Sequence, residues 1–213
     1  QLAPLHLGER CETIERMKKG TPEYRRATIA MLCAGLAIFS SLYATQALLP
    51  VLTAEMNATP SEAALTISAA TGAIAVCVVP ASILSEKFGR GRVLTISALA
   101  ATTVGVLVPL GQTIEQLTAL RALQGALLAG TPAVAMAWLA EELDQADLPG
   151  VMGLYIAGNT IGGITGRLIP SLMVEVVNWR WALATSAATS LALTVATWVL
   201  LPPQRNFRPK DTI

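Results

Sequence analysis

The octapeptide Ser-Glu-Lys-Phe-Gly-Arg-Gly-Arg, residues 85–92, lies between two long apolar stretches and determines the predicted fold class. The stretch before it, residues 63–84, and the stretch after it, residues 93–114, contain no Asp, Glu, Lys or Arg. A helix needs about 20 apolar residues to cross the roughly 30 Å hydrocarbon core of a bilayer. Two uncharged stretches of that length, joined by a short charged loop, predict a pair of membrane-spanning helices.

Four further apolar stretches extend this pattern, at residues 27–49, 117–139, 149–174 and 180–201. Hydrophobic residues make up 53% of the 213 residues and charged residues 14%, whereas a soluble domain carries about 25% charged residues. The alternation typical of barrel strands, over about 10 residues, does not occur in these stretches. The prediction is an all-α membrane protein with six transmembrane helices. It places a tail at residues 1–26, the helical bundle at 27–201, and the start of a cytoplasmic loop or tail at 202–213.

Basic residues predict the orientation of the bundle in the membrane. If the six helices alternate in direction, most loop and tail arginines and lysines fall on one side, and both termini are cytoplasmic. Arg180 is the one clear loop cation on the other side. The loop between the fourth and fifth stretches is cytoplasmic by this count but is acidic, with Glu141, Glu142, Asp144 and Asp147.

Composition argues against enzymes, metal proteins and nucleic-acid binders. His6 is the only histidine, and the cysteines Cys11, Cys33 and Cys77 have no paired or metal-binding spacing. No stretch holds paired carboxylates, and no serine has the setting of a hydrolase nucleophile. Basic residues form short clusters and no nucleic-acid-binding face. We therefore expect no enzymatic activity, no metal and no cofactor.

Four motifs, in order along the chain, resemble those of the major facilitator superfamily. Residues 82–92, SILSEKFGRGR, resemble the loop signature that follows the second helix, although Ser82 and Gly91 depart from it. Residues 121–125, RALQG, resemble the second motif, and residues 158–166, GNTIGGITG, resemble the glycine-rich antiporter motif without its Gly-Pro. Residues 43–50, YATQALLP, are similar to a bacterial efflux-type permease subgroup.

The resemblance implies the N-terminal six-helix half of a transporter that usually has twelve helices. It implies secondary active transport by alternating access in the bacterial inner membrane, with efflux of a small molecule and protons as the candidate coupling ion. The expected partners are the lipid bilayer, the small-molecule substrate and a second six-helix bundle, either a C-terminal half or another copy. The alternative is a truncated or inactive fragment that needs a partner bundle and transports nothing alone.

An internal duplication accompanies this resemblance. Nine residues separate Pro80 from Arg90, and nine separate Pro170 from Arg180, with a glutamate inside each interval. The two patterns occupy equivalent places in two three-helix units of opposite orientation. The sequence therefore predicts two inverted three-helix repeats, as in one half of a major facilitator.

The charged loop supplies the first group of candidate residues: Glu86, Lys87, Gly89, Arg90 and Arg92. The family resemblance implies a gate whose charge contacts form and break during transport. The alternative is a basic loop that only fixes topology. Gly89 suits a tight turn with an unusual backbone angle.

Arg121 is the most informative single residue, because an arginine within a membrane span costs at least about 2.5 kcal/mol on insertion scales. It is expected to face a cavity or a partner, and the resemblance implies a role in substrate or proton coupling. The alternative is that it snorkels to the membrane surface. Gln124 lies on nearly the same helix face, and Gly125 would allow close helix approach.

The fifth stretch combines packing residues with polar ones. Gly158, Gly162 and Gly166 recur every four residues and, with Gly163, predict a helix-packing stripe. Asn159 and Arg167 in the same stretch are candidate cavity residues, although Arg167 could also snorkel outwards.

Tyr43 and Gln46 share a face of the first stretch and are candidate substrate hydrogen-bonders. Bonding between helices is the alternative reading. Trp179 and Trp181 flank Arg180 and are expected to be interface anchors.

Overall fold

A computed structural model describes residues 16–207, and these residues are helical apart from short connections. The α-helices are α1 (Pro22–Tyr43), α2 (Leu49–Glu55), α3 (Pro60–Phe88), α4 (Arg90–Leu107), α5 (Ile114–Leu128), α6 (Pro132–Glu142), α7 (Leu148–Met173) and α8 (Trp179–Leu200). Single 3₁₀ turns occupy Gln46–Leu48 and Val108–Leu110. The outer parts of the predicted tails, residues 1–15 and 208–213, lie outside the described residues.

Side-chain caps explain where four of the long helices begin. Thr21, Thr59, Thr113 and Asn178 each accept a hydrogen bond from a backbone N–H in the first turn of the following helix. At α3 the cap is reciprocal, because Glu62 accepts from the backbone N–H of Thr59. These caps satisfy N–H groups that have no partner within the helix.

The helices account for the six predicted stretches, with two of them interrupted. α1 begins at Pro22, inside the predicted tail, breaks at residues 44–48 and continues as α2, so that Pro50 lies in the first turn of a helix instead of ending one. The fourth stretch is α5 and α6 with a break at residues 129–131. Within residues 16–207, five helical segments have the length and hydropathy of a membrane span. The fifth stretch is the 26-residue helix α7, which is long enough to cross a membrane but is not among these five segments.

Four segments meet at one end of the bundle, which we call the basic end (residues 16–26, 86–92, 141–147 and 201–207). The backbone N–H of Met17 donates to the carbonyl oxygen of Glu142, and Arg90 contacts Glu141 from the start of α4. Residues 204–206 contact the same two glutamates. The basic end therefore gathers most of the lysines and arginines of the described residues.

The opposite end is closed by an apolar cluster and one arginine. Leu48, Leu52, Leu117 and Trp179 are buried together there. Arg180 Nη1 donates to the carbonyl oxygens of Pro109 and Gly111, at 2.6 and 2.7 Å, and so caps the 3₁₀ turn that follows α4. The prediction that Trp179 anchors in the membrane interface is wrong, because its indole is 2% exposed and packs in this cluster, whereas Trp181 is exposed.

The chain forms two inverted three-helix repeats. In each repeat the first span is broken and the second contains an internal proline, Pro80 in α3 and Pro170 in α7. The first span starts from the basic end in one repeat and from the opposite end in the other. The two repeats also pack reciprocally, because α1 lies against α7 and α5 lies against α3. The fold therefore agrees with the six-helix half predicted from the sequence.

Candidate functional site

Arg121 on α5 lies inside the bundle and reaches the end of α1. Its side chain is 1% exposed. Its Nη1 donates to the carbonyl oxygen of Ser41 at 3.1 Å, and its Nη2 donates to the carbonyl oxygen of Leu42 at 2.5 Å. Carbonyl groups in the last turn of a helix have no partner within the helix and carry partial negative charge. The guanidinium therefore caps α1 at the point where the helix breaks.

Gln124 completes this contact from the next turn of α5. Its Oε1 accepts from Arg121 Nη1 at 2.6 Å, and its Nε2 donates to the hydroxyl oxygen of Ser41 at 2.7 Å. Both Gln124 and Ser41 are buried. Gly105 on α4 leaves room for the amide, because a Cβ atom there would lie 2.6 Å from Gln124 Nε2.

The snorkelling alternative for Arg121 is excluded by this burial. No carboxylate lies within ion-pair distance of Arg121 among the described residues. Its hydrogen-bond acceptors there are two backbone carbonyls and one amide oxygen. Arg121 thus joins α5, in the second repeat, to the end of α1, in the first repeat, next to the break at residues 44–48.

Tyr43, Gln46 and Arg167 form a second polar group, on the exposed side of the α1–α7 contact. The guanidinium carbon of Arg167 lies 4.0 Å from the centre of the Tyr43 ring. Arg167 Nε donates to Gln46 Oε1 at 2.8 Å, and its Nη1 donates to the carbonyl oxygen of Gly163 at 3.0 Å. Gln46 and Arg167 are exposed. We call these three residues the α1–α7 polar group.

Asn159 belongs to neither group. It lies on α7 against α1, and its Oδ1 would be 2.6 Å from a Cβ atom added at Gly35. Among the described residues this buried oxygen has no hydrogen-bond partner, and neither does the hydroxyl of Tyr155 one turn earlier. The position is consistent with polar packing between α1 and α7.

The glycine stripe of α7 faces the backbone of α1. A Cβ atom added at Gly158, Gly162 or Gly166 would lie within 2.5 to 2.9 Å of a carbonyl oxygen, those of Leu32, Leu36 and Ser40 respectively. Such distances are too short for any real side chain, so the helices can approach this closely only because the side chains are missing. Gly163 differs, because it faces the Tyr43 ring.

Gly125 plays the matching part in the other repeat. A Cβ atom added there would overlap the backbone of Ala70 on α3. Both reciprocal helix pairs, α1 with α7 and α5 with α3, therefore depend on glycine for their separation.

The closest charge contact of the charged loop is with a residue outside the loop, Glu141. Arg90 Nε donates to Glu141 Oε1 at 2.5 Å, whereas the distance from Arg90 Nη2 to Glu86 Oε1 is 3.7 Å. Arg90 therefore ties the start of α4 to the end of α6. Lys87 and Arg92 are exposed and form no ion pair within residues 16–207.

Gly89 makes the turn between α3 and α4 with a single residue. Its φ is +99°, a conformation that side chains with a Cβ rarely adopt. The turn places Glu86 and Arg90 on either side of it. Gln204 lies against the same turn, since its Oε1 accepts from the backbone N–H of Gly91 at 3.2 Å.

Glu141 and Glu142 were not among the candidate residues selected from the sequence. Glu142 is 1% exposed, and its carboxylate accepts from the backbone N–H groups of Arg205 and Asn206 at 2.9 to 3.2 Å. Glu141 Oε2 accepts from Gln204 Nε2 at 3.0 Å. The sequence did contain a signal for these two residues, because the acidic loop at residues 141–147 is predicted on the same side of the membrane as the basic loop at residues 85–92. Opposite charges at one end of a bundle favour contact.

Within residues 16–207, no group of three or more His, Cys, Asp or Glu side chains is arranged to hold a metal ion. The two described cysteines, Cys33 and Cys77, are free thiols within α1 and α3.

Comparisons with known proteins agree with this arrangement. The chain is 39% identical to the uncharacterised MFS-type transporter YybF of Bacillus subtilis over 91% of its length and 48% of that protein. It is 38% identical to the inner membrane transport protein YnfM of Escherichia coli, over 91% of this chain and 46% of that one. The chain spans about half the length of the curated relatives it matches.

A solved structure gives the same fold. A bacterial homologue of the human lysosomal transporter Spinster, in an inward-facing and unoccupied conformation, aligns with a TM-score of 0.69 at 14% identity, covering 92% of this chain and 47% of that one. The family model of the Major Facilitator Superfamily matches residues 30–212. The chain belongs to the Major Facilitator Superfamily of membrane transporters.

Proposed function

We propose that this chain is the N-terminal six-helix half of a secondary active transporter that exports a small molecule by alternating access. The observation that supports this proposal is the extent of the alignments. Each alignment covers about nine-tenths of this chain but just under half of the matched transporter. In such transporters two bundles rock about a substrate site between them.

The interior packing supports a bundle that moves as one unit. Glycines allow the backbones of α1 and α7, and those of α5 and α3, to come into contact. Arg121 on α5 donates hydrogen bonds to the last turn of α1, directly before its break. Small residues at close helix contacts are the usual means by which membrane helices associate firmly. The motion that transport requires is then a rotation of this bundle against a second one.

The α1–α7 polar group is the proposed substrate-facing surface of this half. Gln46 and Arg167 are exposed although they lie on apolar spanning elements, and ionisable residues in spans usually face protein or a water-filled cavity. An exposed guanidinium, an amide and a phenol suit a substrate with hydrogen-bond acceptors. Substrate selection would depend equally on the second bundle.

The Arg90–Glu141 contact is the proposed gate at the basic end. It links α4 to α6, and through Gln204 it also reaches the segment that leaves α8. A partly exposed contact of two charges and one amide at the basic end can break in each cycle while the glycine-packed interior of the bundle stays together.

Protons are the proposed coupling ion. No Asp or Glu lies in the middle of a span in this chain, so a titrating carboxylate would be supplied by the second bundle. The orientation that we propose places the basic end in the cytoplasm, following the positive-inside rule.

Export by the complete protein tests this function. The complete protein and residues 1–213 would be produced separately in a bacterial host lacking its major exporters, and tolerance to a panel of toxic small molecules would be measured. We expect the complete protein to raise tolerance to at least one compound, with loss of the effect when a protonophore collapses the proton gradient. Failure of the complete protein on every compound, with correct membrane insertion, would contradict export.

The same assay addresses the second candidate function. An inactive fragment is favoured by the half-length match to known transporters. Both candidates predict that residues 1–213 alone insert in the membrane but raise no tolerance. Co-production with the second bundle separates them, because a half-unit regains export and an inactive fragment does not.

A further inference from the structure

We propose that a single buried water molecule bridges Arg121 on α5 and Thr45 at the break of α1. A cavity of about 10 Å³ lies between α1, α4, α5 and α8. Its polar lining consists of Ser41, Thr45, Arg121 and Gln124, and its apolar lining includes Leu183 and Ala187. It is separate from the exposed α1–α7 polar group.

Two side chains on this cavity have unmet hydrogen-bonding capacity. The Nε–H of Arg121 and the hydroxyl of Thr45 are buried and have no partner among the described residues. Arg121 and Thr45 are each 1% exposed, so bulk water does not reach them. A buried polar group that lacks a partner is costly and is usually satisfied by protein or by ordered water.

The size of the cavity selects the occupant. A space of about 10 Å³ accommodates the centre of one water molecule and little more. A carboxylate or a phosphate is far larger than this space. Water is also the ligand that both donates and accepts, as this lining requires.

The lining supplies three hydrogen bonds, which is typical of buried water. The water oxygen would accept from Arg121 Nε–H and from the Ser41 hydroxyl. The Ser41 oxygen already accepts from Gln124 Nε2 at 2.7 Å, which leaves its hydrogen free to donate. The water would then donate one hydrogen to Thr45 Oγ1.

This water would extend the Arg121 contact past the last turn of α1. Arg121 already donates to the carbonyl oxygens of Ser41 and Leu42 before the break. Thr45 lies within the break, directly before the 3₁₀ turn Gln46–Leu48. The bridge therefore fixes both sides of the break to α5, and it would do so whether or not the protein exports its substrate.

The test is a structure of the complete protein in lipid nanodiscs at a resolution that shows ordered water. We expect a density peak within hydrogen-bond distance of Arg121 Nε and Thr45 Oγ1. Thr45→Val, which keeps the side-chain volume but removes the oxygen, should weaken or remove the peak. Thr45→Ser should retain it. An empty cavity in the wild-type protein would overturn the proposal, and so would a peak unchanged by Thr45→Val.

Radiolytic hydroxyl labelling provides a second measurement that does not depend on resolution. Radicals formed from a bound water oxidise the side chains next to it, and Leu183 lines the cavity. Leu94 is fully buried and does not line it, so it is the matched control. We expect several-fold more oxidation at Leu183 than at Leu94, reduced by Thr45→Val. Equal labelling of the two leucines in the wild-type protein would contradict a bound water.

Discussion

Arg121 on α5 donates a hydrogen bond of 3.1 Å to the carbonyl oxygen of Ser41, in the last turn of α1. Through this bond, a side chain of the second repeat caps a helix of the first. A cation at the C-terminus of a helix is favourable because the helix dipole is negative there. The contact explains how an arginine can be buried in a membrane bundle without a carboxylate partner.

Removal of this cap should impair both transport and stability. In Arg121→Ala the carbonyl groups of Ser41 and Leu42 lose their partners, which costs on the order of 2–5 kcal/mol of unfolding free energy. Transport by the complete protein should be lost while membrane insertion remains. The measurements are export, surface insertion and the unfolding midpoint in detergent.

Arg121→Lys separates charge from geometry. Lysine keeps the positive charge but lacks the planar fork that reaches two carbonyl groups at once. We expect its unfolding midpoint to lie between those of the wild-type protein and Arg121→Ala. Normal export by Arg121→Ala would show that this arginine is dispensable.

The glycine stripe can be tested within one helix. In Gly162→Ala the new Cβ atom would lie 2.7 Å from the carbonyl oxygen of Leu36, so α1 and α7 must separate. We expect a loss of about 1–3 kcal/mol of unfolding free energy, as for overpacked cores. Gly153→Ala is the matched control, because its Cβ atom meets nothing within 4 Å.

Alanine is a better helix former than glycine, so the control variant should be neutral or more stable by up to about 1 kcal/mol. Equal effects of the two alanines on the unfolding midpoint would mean that close approach of α1 and α7 does not hold the bundle together.

The Arg90–Glu141 contact can be measured by a double-mutant cycle. The variants are Arg90→Gln, Glu141→Gln and the pair, and the coupling in unfolding free energy should be about 1–3 kcal/mol. Arg92→Gln is the control cation, because Arg92 is exposed and has no ion pair within residues 16–207. A cycle of Arg92→Gln with Glu141→Gln should give a coupling near zero. Equal couplings in both cycles would indicate a general charge effect instead of a specific contact.

Glu142 should hold the segment that leaves α8. Its carboxylate accepts from the backbone N–H groups of Arg205 and Asn206, and it is buried. In Glu142→Ala these amides lose their acceptor, so the peptide covering residues 201–207 should exchange hydrogen faster. Glu55→Ala, an exposed glutamate at the opposite end, serves as the control. Unchanged hydrogen exchange of residues 201–207 in Glu142→Ala would show that Glu142 does not hold this segment.

The sequence was sufficient for the features that depend on side-chain pattern. Uncharged stretches of membrane length predicted the helices, and glycines four residues apart predicted a packing stripe of the kind that α7 turns towards α1. The repeated spacing of Pro80 and Pro170 from the next arginine predicted the inverted repeats. These features follow from the spacing of residue types along the chain, which can be read from the sequence alone.

Features that depend on backbone groups or distant partners were not predictable. The break of α1 at residues 44–48 contains the polar residues Thr45 and Gln46, but polar residues also occur inside unbroken helices, as Asn159 does in α7, so they do not mark a break. The acceptors of Arg121 are carbonyl oxygens, which every residue has, and their availability depends on that break. Tryptophan is a typical interface anchor, but Trp179 is buried because it lies at the start of α8 and packs in a cluster with Leu117.

Reassembly of a divided transporter tests the central claim most directly. Residues 1–213 and the remainder of the complete protein would be produced as two polypeptides, separately and together, and export would be measured against the undivided protein. The account predicts export only when both parts are present, together with their co-purification. Export by residues 1–213 alone, at the level of the undivided protein, would contradict the claim that this chain is one of two bundles.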